Sequence, residues 1–183
     1  LRRLSLASDH VRNLSAALVF MKLIPLANGG FTIVDAADYD DLIQYRWLLS
    51  RNGKRFYVRR FEKVNTPEGP KQRCIYMHRQ IMNPPDGMDV DHRFGDGLDN
   101  RRENLRICTR TQNSQNAKKK TSSTQKHKGV YKTHNGKFGA RIYLNERKAH
   151  IGVFLTSEAA ALAYDQKAIE LFGEFARLNF PNL

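Results

Sequence analysis

The sequence predicts an α+β fold built from small modules. Three observations predict it. Short runs of alternating apolar and polar residues, punctuated by Asn52-Gly53 and Asn135-Gly136, mark antiparallel hairpins. One stretch, Thr156 to Phe172, has the length, the cap and the Gly173 stop of a full helix. The 183 residues and 40% hydrophobic content suit one ordinary domain or two small ones.

Taken in order, residues 1–20 carry Arg2 and Arg3 before a weak apolar stretch that Asp9, His10, Arg12 and Asn13 interrupt. A secretory signal needs a longer apolar core. This segment is expected to be a non-native or disordered leader, with Met21 as the natural start. Residues 21–70 read as a β-rich region. "GFTIVD" is a strand, "ADYDDLIQY" a short helix or turn, and "YRWLLS" with "KRFYVRRF" a hairpin across "RNGK". Arg51, Lys54, Arg59 and Arg60 make that hairpin basic, either a phosphate-facing edge or a solvated edge strand.

Residues 71–117 form the next expected module. "CIYMHRQIM" is a strand passing into a helical turn, stopped by "NPPDG". "MDVDH" and "NLRICT" are strands on either side of a long polar loop, and Thr109 with Gln112 forms a T-x-x-Q capping box that starts a helix. Residues 118–127 are a basic linker poor in apolar residues, expected to be flexible. Residues 128–183 read as a three-stranded antiparallel meander followed by the long helix. In the meander, Phe138, Ala140, Ile142, Leu144, Ala149, Ile151 and Val153 are expected on the face towards the helix. Arg141, Tyr143, Lys148 and His150 belong to the opposite, polar face.

Lys and Arg number 31 against 18 Asp and Glu, a formal charge of +13, which points to a polyanion and most simply to nucleic acid. From Ala117 onward there are 12 Lys and Arg against 5 Asp and Glu, so the last third is the most basic part. No apolar run is long enough to span a membrane, and no membrane association is expected. Cys74 and Cys108 form no CxxC pair, which excludes a zinc finger. They read as reduced thiols in apolar strands of a cytoplasmic protein.

The chemistry concentrates in "VDHRFGDGLDNRRENLRICTRTQNSQN". Phosphodiester hydrolysis needs a water nucleophile, a base to deprotonate it and a cation to stabilise charge on phosphate. His92 is a base candidate because its unperturbed pKa lies near 6.5. Asp91 and Asn113 offer hard oxygens suited to Mg²⁺ or Mn²⁺. The amide of Asn104 can brace the loop through backbone hydrogen bonds. On residue chemistry alone, a polar turn around a hydrogen-bonded histidine is the equal alternative.

Asp91-His92, "LDNRRENL" and Asn113 resemble the HNH nuclease motif of phage-type homing endonucleases, in the variant that ends in Asn. The likeness covers Cys74 to Ala117. It implies a ββα-metal fold with His92 as general base, Asn104 as the central Asn supporting the His-bearing loop, and Asp91 and Asn113 holding one divalent metal, Mg²⁺ or Mn²⁺. Asn116 is the rival ligand, Asn100 is expected to shape the loop, and His78 is expected to be structural.

"KGVYKTHNGKFGARI", "HIGVF", "TSEAAALAYDQKAI" and "ARLNFP" resemble the Apetala-two or ethylene-response-factor DNA-binding domain, over Lys128 to Pro181. In that family the sheet enters the major groove. Its contact positions fall on Tyr131, Thr133, Asn135, Arg141, Tyr143, Lys148 and His150. Several of these differ from the plant residues, so the plant recognition sequence does not carry over.

The combined expectation is a metal-dependent DNA endonuclease of a phage or mobile element, acting on double-stranded DNA as a monomer, with a homodimer as the alternative. A DNA-binding regulator with an inactive HNH module is the rival, and an RNA-binding protein a third reading. Lys126 and Lys128 are expected to touch phosphate.

Overall fold

The computed structural model describes residues 20–53, 55–117, 125–144 and 147–181. Residues 1–19 of the expected leader, Lys54, and residues 118–124 of the expected linker lie outside the described residues. The chain is α+β and divides into two compact units between Ile107 and Cys108.

The first unit opens with a hairpin, β1 (Met21–Pro25) against β2 (Phe31–Asp35), in register from Met21↔Asp35 to Pro25↔Phe31. The sequence does not announce β1, because "MKLIP" ends in Pro and only its Ile24 is buried. The expected short helix follows as α1 (Ala36–Ile43), whose Leu42 is buried. Trp47 is almost fully enclosed, and its indole nitrogen donates to the Leu42 carbonyl at 2.8 Å, so the apolar ring is buried with its one polar atom satisfied. Strands β3 (Leu48–Asn52) and β4 (Arg55–Thr66) form the expected basic hairpin.

Strand β4 then continues further than the sequence suggests. It pairs along its whole outer half with β5 (Gly69–Tyr76), from Arg59↔Tyr76 to Thr66↔Gly69. The expected change of segment at residues 70 and 71 therefore falls inside a strand. This hairpin was hard to see because "EKVNTPEGPKQR" has no apolar face, so alternation carries no signal there. Cys74 lies on β5 and is exposed, unlike the buried Cys108 and against the expectation of two thiols in apolar strands.

Helix α2 (Met77–Met82) ends at Asn83, held in the left-handed region at φ 42. Strands β6 (Asp89–His92) and β7 (Leu105–Cys108) then pair with each other, as expected. Ile24, Val34, Leu42, Val58, Met77, Val90 and Leu105 belong to one core, so the N-terminal strands and the β6–β7 pair fold around common side chains.

The second unit begins with α3 (Arg110–Gln115). Its capping box is complete: Thr109 Oγ1 accepts from Gln112 N at 3.2 Å, and Gln112 Oε1 accepts from Thr109 N at 2.8 Å. Strands β8 (Val130–Lys132), β9 (Phe138–Leu144) and β10 (Arg147–Phe154) make the expected antiparallel meander with β9 central. Helix α4 (Ser157–Phe172) lies on it, capped by Thr156 Oγ1 accepting from Ala159 N at 3.1 Å. Ala160, Ala161 and Ala168 are fully buried, and these small side chains let helix and sheet approach closely.

The alternation read for β10 holds only in part. A bulge between His150 and Gly152 inserts Ile151. An extra residue exchanges the two faces of everything after it. Beyond the bulge Phe154 packs into the core, and Val153, expected inward, is half exposed. Ala149 and Leu144 are exposed as well.

Candidate active site and nucleic-acid interface

Asp91 and His92 end β6, and both are buried. Asn104 ends a short 3-10 turn, Arg102–Asn104, and is fully buried. Its amide is spent on the loop between them. Nδ2 donates to Asp99 O at 2.7 Å and Asp96 O at 3.3 Å, and Oδ1 accepts from Phe94 N at 2.9 Å. Its own carbonyl accepts from Arg93 N at 2.7 Å. The side-chain bonds tie the loop to Asn104.

Asn100 lies closer to His92 than its reading as a loop former suggests. It is fully buried, and its Oδ1 stands 3.3 Å from His92 Nε2. Thr32 Oγ1 donates to Leu98 O at 2.7 Å and so receives, rather than gives, the bond with Asn100 Nδ2 at 2.9 Å. That fixes which end of the Asn100 amide is the acceptor: its oxygen faces the imidazole. Nε2 then carries the ring proton, and Nδ1 is the proton-accepting nitrogen of the neutral ring. Burial holds the His92 pKa below the ordinary histidine value, opposed by the pull of Asn100 and Asp91.

The loop is held from the N-terminal side by β2. Ile33 N donates to Leu98 O at 2.9 Å, and Asn100 N donates to Ile33 O at 2.8 Å. Arg102 N donates to Asp35 at 2.8 Å, and the Arg102 side chain grips Asp38 at 2.7 and 2.9 Å. Gly97 lies against β4, where a Cβ would overlap the Phe56 carbonyl. None of these supports was visible in the motif itself, since their partners lie more than forty residues upstream.

Asp91 Oδ2 accepts two bonds from Arg106, at 2.8 and 3.0 Å, in a pair that is buried on both sides. Sequence reasoning passed over Arg106; its signal was an arginine in the middle of the apolar strand "LRIC". It also treated His78 as a helix residue. That ring is buried, stands edge-on to His92 with centroids 5.0 Å apart, and leaves Nδ1 without a hydrogen-bond partner. Burial, with smaller contributions from His92 and Arg79, lowers its pKa to about 3. Tyr57 and Tyr76 complete the aromatic surround.

Asn113 and Asn116 belong to the second unit. Asn113 is half-buried on α3, and Asn116 is its buried C-cap. Among the described residues no three His, Cys, Asp or Glu gather into a metal cage. One carboxylate and one amide oxygen still fit a hard cation in kind, because Mg²⁺ keeps several waters and takes phosphate oxygens.

Each unit carries a basic face. On β4, alternation puts Arg55, Tyr57, Arg59, Phe61 and Lys63 together, and no carboxylate sits at the paired positions of β3 and β5. Arg59 stacks over Phe61 at 5.0 Å, and Tyr57 joins this face to His92. Arg60, by contrast, turns to the opposite side and stacks on Tyr45 at 4.0 Å. In the second unit, Arg141 lies over Tyr131 at 4.9 Å and Tyr143 at 6.0 Å, and Tyr131 Oη meets His150 Nδ1 at 3.2 Å. Lys148 pairs in register with Tyr143, and His150 with Arg141. Thr133 and Asn135 sit in the β8–β9 turn and bond to each other at 2.5 Å. Lys128, expected to touch phosphate, instead donates its amine to backbone carbonyls of Gln115 and Ala117.

Residues 82–115 match the family profile described as HNH endonuclease. An uncharacterized HNH endonuclease of Acanthamoeba polyphaga mimivirus is 32% identical over 165 residues, 89% of this chain and 82% of the relative. The chain belongs to the HNH endonuclease family. It is thus a nuclease, and HNH nucleases generally use a divalent metal. Over its last third this HNH protein is also similar to plant proteins. An AP2/ERF and B3 domain-containing transcription factor of Arabidopsis thaliana is 42% identical over 62 residues, 33% of this chain and 18% of the relative. An AP2/ERF and B3 domain-containing protein of Oryza sativa subsp. japonica is 41% identical over 58 residues, 32% of this chain and 16% of the relative. No solved structure matches the chain.

Proposed function

We propose that this HNH nuclease is a metal-dependent endonuclease of the homing type that hydrolyses one recognised site in double-stranded DNA, in the cytoplasm of a bacterial or phage-infected cell. The observation that carries the proposal is the setting of His92: buried at the end of β6 beside Asp91, with Nε2 facing the Asn100 oxygen at 3.3 Å, so that Nδ1 is the nitrogen that takes a proton. His92 removes the proton of the attacking water. Asn104 and Asn100 position the loop and the ring. Asp91 and Asn113 would hold one Mg²⁺ or Mn²⁺, which would stabilise negative charge on the phosphate and the leaving oxygen. Arg106 keeps the Asp91 carboxylate in its buried place.

Recognition falls to the C-terminal module, residues 128–183, through Tyr131, Arg141, Tyr143, Lys148 and His150, with Thr133 and Asn135 at the turn. Arg141 is the candidate for a guanine edge, worth about 1–3 kcal/mol of discrimination if bidentate. The Arg55–Lys63 face, free of carboxylates and continuous with His92, suits the phosphate backbone. The nuclease acts as a monomer or within a homodimer.

Incubation with supercoiled plasmid tests the reading. Relaxed or linear product with Mg²⁺ or Mn²⁺, and none with EDTA, is the expected result. Undiminished cleavage in EDTA would remove the metal from the account.

A further inference from the structure

Helix α3 carries Asn113 and is only six residues long. Its last carbonyls have no intrahelical donors. Lys128 supplies donors from the start of the C-terminal module. Its Nζ donates to Gln115 O at 2.7 Å and to Ala117 O at 2.9 Å. A cation at helix C-terminal carbonyls is favourable in both charge and hydrogen bonding.

Lys128 is itself tied down. Its backbone N–H donates to Asn179 Oδ1 at 2.6 Å, and its carbonyl accepts from Asn179 Nδ2 at 3.1 Å. Asn179 is pinned in turn, its N–H donating to both carboxylate oxygens of Asp165 at 2.8 and 2.9 Å. Asp165 is buried on α4. The next residue leads to the recognition sheet. Gly129 O accepts from Arg141 N at 2.9 Å, and a Cβ on Gly129 would overlap the Tyr164 ring. Burial, aided by Arg177, lowers the Lys128 pKa to about 8, as suits an amine that has exchanged water for carbonyls. A continuous path of bonds therefore runs from Arg141 on the polar sheet face, through Gly129 and Lys128, to the last turn of α3.

We propose that Lys128 is a positioning residue that anchors the Asn113-bearing helix to the DNA-reading sheet, so that seating the sheet on its site and presenting that amide to the metal are one event. The proposal rests on the nuclease reading above and on Asn113 as a metal ligand. It differs from two modules joined only by a tether, in which Lys128 would be a phosphate contact.

The test uses the full chain as wild type, Lys128→Met and Lys128→Arg. Amide exchange at Asn113, Asn116 and Ala117 should accelerate about tenfold or more in Lys128→Met, while β9 and α4 stay as protected as before. Affinity for a selected duplex in EDTA should remain within about threefold, since no phosphate contact is lost. The Mn²⁺ concentration for half-maximal cleavage should rise about tenfold or more, because the helix presenting a ligand is no longer fixed. Lys128→Arg should restore both exchange protection and metal dependence. Unchanged exchange in Lys128→Met would overturn the proposal, and so would a fall in duplex affinity that matches the fall in cleavage. Wild-type protein that cleaves no DNA overturns the nuclease reading and the metal part of this proposal with it, while the exchange result still decides the anchoring.

Discussion

His78 is a buried histidine whose Nδ1 has no hydrogen-bond partner. A histidine that titrates near 6.5 when unfolded and at about 3 when folded binds its proton only in the unfolded chain across that window. The sign follows directly: this contribution to stability is fully present above pH 6.5 and is lost as pH falls towards 3. The slope is about 1.4 kcal/mol per pH unit for one such group. The lowered pKa of His92 acts in the same direction. Thermal unfolding at pH 7 and pH 4.5 should show a marked loss of stability for the wild type, and a shallower loss for His78→Phe. Equal losses in the two proteins would mean that His78 is not held neutral. This environment was not legible in "YMHRQIM". A histidine one residue into a helix gives no sign of the ring it will face, and His92 lies fourteen residues further on.

At the scale of elements, the polar loop between β6 and β7 is held from within and by two other elements. Asn104 braces it from within, β2 bonds to it through Leu98 and Asn100, and β4 closes on it at Gly97. Gly97→Ala should therefore be destabilising by about 1–3 kcal/mol, the usual cost of forcing atoms into a filled space. Urea unfolding measures it directly, and an unchanged midpoint would show that loop and strand do not touch. The elements differed in how readable they were. The β3–β4 hairpin, the capping box of α3 and helix α4 were legible because turn residues, caps and alternation agree there. Strand β1 and the β4–β5 hairpin were not, because neither presents an apolar face with period two. The bulge at Ile151 was hidden for a different reason: alternation predicts a face only while the register is unbroken.

For the whole molecule, the +13 charge and the two resemblances led to the same conclusion from independent directions. The candidate site rests on residue types at set spacings, namely Asp91, His92, Asn104 and Asn113. Its supports were not legible in the sequence, since Thr32, Asp35, Asp38 and Phe56 are distant in sequence and become neighbours of the loop only through the fold. Helix α3 likewise reads in sequence as the end of the nuclease module, yet it groups with the residues from Cys108 onward. The central claim is that His92 is the base of a DNA-cleaving site. The direct measurement is the single-turnover cleavage rate of a selected duplex by wild type and His92→Ala, with duplex affinity recorded for both. Losing a general base should lower the rate by about 10²–10⁴-fold and leave affinity nearly unchanged. A His92→Ala rate within about threefold of wild type would contradict the account, because a general base is worth far more than that.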